Sequence, residues 1–107
     1  MRQRFKADNF VDEHGHPTGG YVKGTGIDIQ WQNGPLNRGA ERIEPNGAFV
    51  EDVIAAALQR IEHYQGSKFA CVENANAISA LQSALDALNA RTFRREAAGT
   101  EGTHEGN

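Results

Sequence analysis

Pro45-Asn-Gly-Ala-Phe-Val-Glu-Asp-Val-Ile-Ala-Ala-Ala-Leu-Gln-Arg-Ile-Glu-His-Tyr-Gln-Gly66 decides the fold. Val50, Val53, Ile54, Ala57, Leu58, Ile61 and Tyr64 recur at the i, i+3, i+4, i+7 spacing that lines one face of an α-helix. Asn46 is a natural cap just before that period begins, and Glu51 and Asp52 stand near the positive end of the helix dipole. Gly66 offers the left-handed residue that stops a helix. A short link to about Ala70 follows, and the period then resumes. Ala77, Ile78, Leu81, Ala84, Leu85 and Leu88 mark one face of a second helix, from about Val72 to Glu96. A link this short makes the helices antiparallel, so the expectation is a helical hairpin. Alanines along the seam (Ala55, Ala56, Ala57, Ala77, Ala80, Ala84) allow close approach.

Upstream of the helices the pattern changes. Ile27-Asp-Ile-Gln-Trp-Gln32 alternates apolar and polar residues strictly, which is the signature of a half-buried strand. Asn33-Gly34-Pro35 ends it, and Tyr21-Val22-Lys23 is its candidate partner, with the chain turning at Gly24-Thr25 or Gly26. Before that, the polar, glycine-rich stretch reads as loop leading into short β structure. The fold class is therefore α+β: short N-terminal antiparallel strands, then an antiparallel two-helix hairpin. The organisation expected is one domain over residues 1–107, with a β-rich flap at 19–45, the hairpin at 46–96 and a flexible tail at 97–107, which holds glycines and no large apolar residue.

Composition narrows the function. At 107 residues and 38% hydrophobic content, two helices and a flap bury too little to stand alone, so assembly as a homo-oligomer is expected. The single cysteine, Cys71, rules out an internal disulfide and reads as a small buried thiol in a reducing compartment. The N-terminus carries no apolar signal and no window approaches a membrane span, so a cytoplasmic protein is expected. A net charge of −3 argues against DNA or RNA polymers, which need a broad basic footprint. An anionic ligand must then be small and met by local positive charge.

Candidate chemistry is sparse. Glu13-His14-Gly15-His16 holds metal-ligand residue types without ligand spacing, and reads as a solvated loop with no metal. The glycines of Gly20-Tyr-Val-Lys-Gly-Thr-Gly26 lack the Gly-Lys-Ser/Thr ending and helix of a phosphate loop. No catalytic residue, enzyme activity or cofactor is indicated. Arg91-Thr92-Phe93-Arg94-Arg95 is the strongest signal. Arg91 and Arg95 stand four apart on one helical face, where guanidinium forks suit phosphate oxygens and Thr92 adds a hydroxyl. The competing reading, arginines that merely complement a helix C-terminus, has equal weight from spacing alone. Tyr64, ending the first helix, and Asn74, beginning the second, offer a ring to stack a base and an amide to read its edge. Their plainer reading is core completion and helix capping.

Several stretches carry a family resemblance: Trp31-Gln-Asn-Gly-Pro-Leu36, Arg38-Gly39, Glu44-Pro-Asn-Gly-Ala-Phe-Val-Glu-Asp-Val-Ile54 and Glu73-Asn-Ala75. Ala77-Ile78, Leu81, Ala84-Leu85, Arg91-Thr92, Arg95-Glu96-Ala97, Gly99 and Glu101-Gly-Thr-His104 continue it. Over roughly residues 19–104 the chain resembles the phage Thoeris anti-defence sponge proteins of the first type. Its hairpin also resembles that of the type-two anti-CBASS sponges. The resemblance implies a hexamer of hairpins that sequesters signalling nucleotides without cleaving them, inside the bacterial host. The ligands implied are glycocyclic ADP-ribose and, at separate sites, cyclic di- or trinucleotides. It further implies that Tyr64 stacks adenine, Asn74 bonds in the same pocket and Arg38 contacts the pyrophosphate. Arg91 and Arg95, with Thr92, would line the cyclic-oligonucleotide site. Some relatives carry phenylalanine where Tyr64 stands. The alternatives are a ligand-free oligomeric structural or assembly protein and, behind it, a nucleotide-cleaving enzyme.

Overall fold

In a computed structural model, residues 4–37 and 39–97 are described. They form three antiparallel strands followed by two helices, and divide into two compact units: one of strands up to Phe49 and one of helices from Val50.

The strand unit is a three-stranded sheet in chain order, β1 (Phe5–Val11), β2 (Pro17–Gly24) and β3 (Ile27–Trp31). The alternation read in residues 27–32 is β3, and Tyr21-Val22-Lys23 lies within its partner, joined through a two-residue turn at Thr25-Gly26. In contrast to the loop expected upstream, β1 is a full strand. Its register runs from Phe5 opposite Gly24 to Asn9 opposite Gly20, then slips by a bulge so that Val11 meets Pro17. The glycines that spoke against regular structure are what permits it. Gly20 has φ +147°, and a Cβ there would lie 2.2 Å from the Asp8 carbonyl oxygen, so only hydrogen fits beneath the crossing strand.

The turn between β1 and β2 closes on Asp12. Its Oδ1 accepts from the His14 and His16 amides at 2.8 and 2.9 Å, while Asp12 N donates to the His16 carbonyl. This Asx geometry gives the Glu13-His14-Gly15-His16 segment an architectural use.

Beyond β3 the chain doubles back. Ala48 forms a parallel bridge with Trp31, donating to the Gln30 carbonyl at 2.7 Å and accepting from Gln32 N at 3.0 Å. Asn46 is not the helix cap expected of it. Its Oδ1 accepts from Asn33 N at 2.8 Å, its Nδ2 donates to the Asn33 carbonyl at 3.1 Å, and its own N donates to Gln32 Oε1. Residues 46–48 thus strap the outer edge of β3. Gly47 makes the approach possible, since a Cβ there would stand 2.6 Å from Gln30 and Trp31 backbone atoms. Among the described residues of this unit, Leu36 is the buried apolar side chain.

The helical unit comprises α1 (Val50–Gln65) and α2 (Val72–Ala97). Both predicted stripes exist. Along α2, Ala77, Ile78, Leu81, Ala84, Leu85 and Leu88 are all half-buried while intervening residues are exposed. On α1, Val53, Ile54 and Ile61 are half-buried and Leu58 is buried, but Ala57 within the stripe and Val50 and Tyr64 at its ends are exposed. Of the alanines expected along the seam only Ala77 and Ala84 are half-buried, while Ala55, Ala56, Ala57 and Ala80 face solvent. Gly66 does not adopt the left-handed conformation expected of it. The helix is instead closed by Ser67, whose N and Oγ both donate to the Tyr64 carbonyl. Among the described residues no helix is long and apolar enough to cross a membrane.

Candidate functional site

The six residues between the helices are a bonded structure rather than slack chain. Gln65, the last residue of α1, accepts from Cys71 N with Oε1 and donates to the Cys71 carbonyl with Nε2, both at 3.1 Å. That pair closes the link at its base. Cys71 is exposed, against the buried thiol expected. It sits at the cap position of α2, where its Sγ accepts from Asn74 N at 3.4 Å. A sulfur in the place usually taken by Ser or Asp explains its position outside the core. Asn74, in the first turn, does not cap the helix through its side chain. Its Nδ2 reaches back to the Phe69 carbonyl at 3.1 Å, and Ser67 Oγ accepts from Phe69 N at 3.1 Å. Phe69 is therefore held from both sides of its backbone.

These bonds build a depression of about 320 Å³ lined by Tyr64, Phe69 and Asn74. The structure thus brings together Tyr64 and Asn74, the two residues sequence reasoning paired, and adds a second aromatic ring. Phe69 is 64% exposed, an unfavourable setting for an apolar side chain unless something covers it. Sequence reasoning passed it over because it lies outside both helical periods. The available signal was a phenylalanine in a short polar link, where no stripe accounts for it.

The depression has a basic rim. The Arg60 guanidinium lies 4.7 Å from the centre of the Tyr64 ring, and its Nε donates to the Tyr64 hydroxyl at 3.1 Å. Lys68 Nζ stands 5.3 Å from the centre of the Phe69 ring. Arg60 precedes Tyr64 by four residues, one helical turn, so the pairing was readable from spacing. Two cations against two rings, in a chain of net charge −3, concentrate positive potential where a base could stack. Asn74 commits its Nδ2 to Phe69, so its Oδ1 remains the group able to accept from a ligand.

The arginine cluster lies elsewhere on α2. Arg91 is exposed, Arg95 is half-buried, and the Thr92 hydroxyl donates to the Leu88 carbonyl at 3.3 Å. From Asn74 to Arg91 the helix rises roughly 25 Å, so the two sets of candidates cannot grip one small molecule within a hairpin. Arg38, the third residue assigned to the aromatic pocket, lies outside the described residues, as does His104. Among the described residues no group of three or more His, Cys, Asp or Glu side chains could hold a metal ion.

With this geometry in place, two likenesses bear on it. Residues 23–93, more than half of the chain, match the family described as Acb2/Tad1, hairpin domain. The chain is also 44% identical over 77 residues to a protein of Bacillus phage SBSphiJ7 named Thoeris anti-defense 1. That match takes in 72% of this chain and 51% of the relative, so the chain spans about half of the relative's length.

Proposed function

The chain belongs to the Acb2/Tad1 hairpin family, and from that premise we propose that it is a phage anti-defence protein that binds a cyclic nucleotide signal and holds it uncleaved. The observation that carries the reading is the depression at the hairpin tip: Tyr64 and Phe69 as stacking surfaces, Asn74 Oδ1 as a reader of a base edge, and Arg60 and Lys68 on the rim. Each is a group suited to nucleotide recognition, and both rings are left exposed by the packing of the hairpin. Glycocyclic ADP-ribose is the ligand proposed, with its adenine on Tyr64 and its pyrophosphate toward the basic rim and Arg38. Arg91, Thr92 and Arg95 form a second site, for cyclic di- or trinucleotides.

The protein acts as a homo-oligomer, a hexamer in the fullest form of the proposal. Leu36 and Leu58 are the buried apolar side chains among the described residues, while Phe5, Phe10, Val50, Val72 and Phe93 are all at least 45% exposed. Marginal single-chain burial of this kind is ordinarily completed by partner subunits. An open depression also needs walls from a second copy to enclose a ligand. A sponge works by stoichiometry: it must hold free signal below its receptor's threshold, which asks for nanomolar affinity, about −12 kcal/mol. Polar molecules reach that through several charge-assisted contacts in an ordered pocket.

The test is ligand depletion. Purified protein is mixed with glycocyclic ADP-ribose and with a panel of cyclic di- and trinucleotides. Free ligand is assayed by chromatography, then assayed again after the protein is boiled. Depletion followed by recovery of intact ligand is the expected result. A hydrolysed product would make the protein an enzyme. An intact oligomer that depletes nothing would make it a structural protein. Tyr64→Ala should weaken capture of glycocyclic ADP-ribose by about 10- to 100-fold and spare the oligonucleotides, and Arg91→Ala with Arg95→Ala should weaken capture of the oligonucleotides alone.

A further inference from the structure

The two edges of the sheet are treated differently. The outer edge of β3 is covered by the strap at Ala48, while the outer edge of β1 takes no strand among the described residues. Every residue of β1 is exposed, and its sequence Phe5-Lys-Ala-Asp-Asn-Phe-Val11 contains neither proline nor glycine. A seven-residue edge of this kind is a template for another strand. We infer that β1 pairs with β1 of a second copy, antiparallel and centred on Ala7, giving one continuous six-stranded sheet.

Symmetry and charge select the occupant and the register. A two-fold axis through the edge, perpendicular to the sheet, pairs a strand with its own copy antiparallel and keeps each face on its side. The axis must then pass through a residue. Centred on Lys6, it sets lysine against lysine on the axis, where the two side chains are closest, and its Arg4–Asp8 pairs involve a residue outside β1. Centred on Asp8, it sets aspartate against aspartate. Centred on Phe5, it brings Arg4 against Lys6, and centred on Asn9 it leaves Asp8 facing Phe10. Centred on Ala7, it places Lys6 opposite Asp8 of the second copy, twice, with the smallest side chain of the strand on the axis. Directly opposed unlike charges support strand pairing and like charges oppose it.

The same axis joins matching faces. The observed registers place Ala7, Val22 and Ile29 on one face, flanked by Phe5 with Ile27 and by Asn9 with Trp31. In the paired sheet the two apolar faces lie side by side. The interface is a deeper statement of the self-association proposed above and rests on it.

Cross-linking tests the register in the full-length chain. In a Cys71→Ser background, Ala7→Cys should give a disulfide dimer on mild oxidation, because directly opposed residues stand within disulfide range. Asp8→Cys should not, since its two copies would be about 8 Å apart, offset along the strands. By sedimentation equilibrium, Lys6→Asp and Asp8→Lys should each weaken association by about tenfold, and the double exchange should restore it. Cross-linking at position 8 equal to that at position 7, or charge reversals without effect, would overturn the pairing. So would an oligomer that stays uncrosslinked at position 7 while its β1 amides resist hydrogen exchange, which would give the edge to a different segment. A monomeric parent chain would sink the self-association itself. An oligomeric parent with no position-7 cross-link would sink this interface alone.

Discussion

The strand unit and the helical hairpin are held together by different means. The sheet is a backbone object: its strands, its bulge and the strap at 46–48 are fixed by main-chain hydrogen bonds and by glycines that let main chains approach. The hairpin is a side-chain object, with a half-buried stripe along α2 facing Leu58 and its neighbours on α1, and a link clamped by the Gln65 amide. A backbone object fails by steric intrusion, at points where one Cβ is too many. A side-chain object fails gradually, in proportion to the surface lost. The candidate ligand site belongs to the second kind, because Tyr64, Phe69 and Asn74 are placed by the clamped link.

The sharpest way to break that contrast is Gly20→Ala. The added methyl would meet the Asp8 carbonyl at 2.2 Å from a residue at φ +147°, so strain and overpacking act together. A loss of roughly 2–4 kcal/mol is expected. It should fall on the sheet, with amide exchange rising across β1 and β2 while α1 and α2 keep their protection. Uniform loss of protection in both units would show that the sheet and the hairpin fold as one.

On the hairpin the largest effect should be on binding. Tyr64→Ala removes a stacking surface and the partner of Arg60, and should weaken nucleotide affinity by about 10- to 100-fold in calorimetry. Tyr64→Phe keeps the ring and should stay within about threefold of the parent; a large loss there would assign the work to the hydroxyl instead. Asn74 sharpens the same site from the other side. With one N–H of Nδ2 tied to the Phe69 carbonyl the amide is held in one orientation, so its Oδ1 and remaining N–H should fit the donor–acceptor order of the adenine edge and not the reversed order of hypoxanthine. Replacing adenine by hypoxanthine in the ligand should cost about tenfold, and Asn74→Ala should erase that preference. Equal affinity of the parent for both bases would remove Asn74 from recognition.

The hairpin was legible in sequence because its stabilisation is periodic: a stripe at 3.6-residue spacing is written in residue type. β3 was legible for the same reason at a period of two. β1 was not, because glycine content in its partner read as flexibility when its use is close approach, and only the neighbouring strand reveals which applies. Asn46 was misassigned for a related cause. An amide ahead of an apolar period is a good cap, but the chain arrives there by doubling back on β3, and the amide is spent on Asn33. Half of the aromatic pocket was readable, in Tyr64 and Asn74. Phe69 and Lys68 escaped because they matter only once the link folds onto the end of α1, whereas Arg60, one turn before Tyr64, was legible in its spacing and was overlooked.

The smallest effect tests the comparison most cleanly, because it asks whether a glycine on the hairpin behaves like one in the sheet. Gly66 is not in the left-handed region, and a Cβ there would meet nothing nearer than the His63 carbonyl at 3.7 Å. Nothing in the folded chain requires glycine, while the unfolded chain keeps its extra freedom. Gly66→Ala should therefore stabilise the protein by roughly 0.4–1 kcal/mol, read as a small rise in denaturation midpoint with an unchanged slope. The link should stay closed, since Ser67 caps α1 and Gln65 holds Cys71 whether or not position 66 bears a methyl. Destabilisation instead would mean that the turn needs a conformation only glycine reaches, and that the hairpin, like the sheet, depends on a main-chain constraint at its tip.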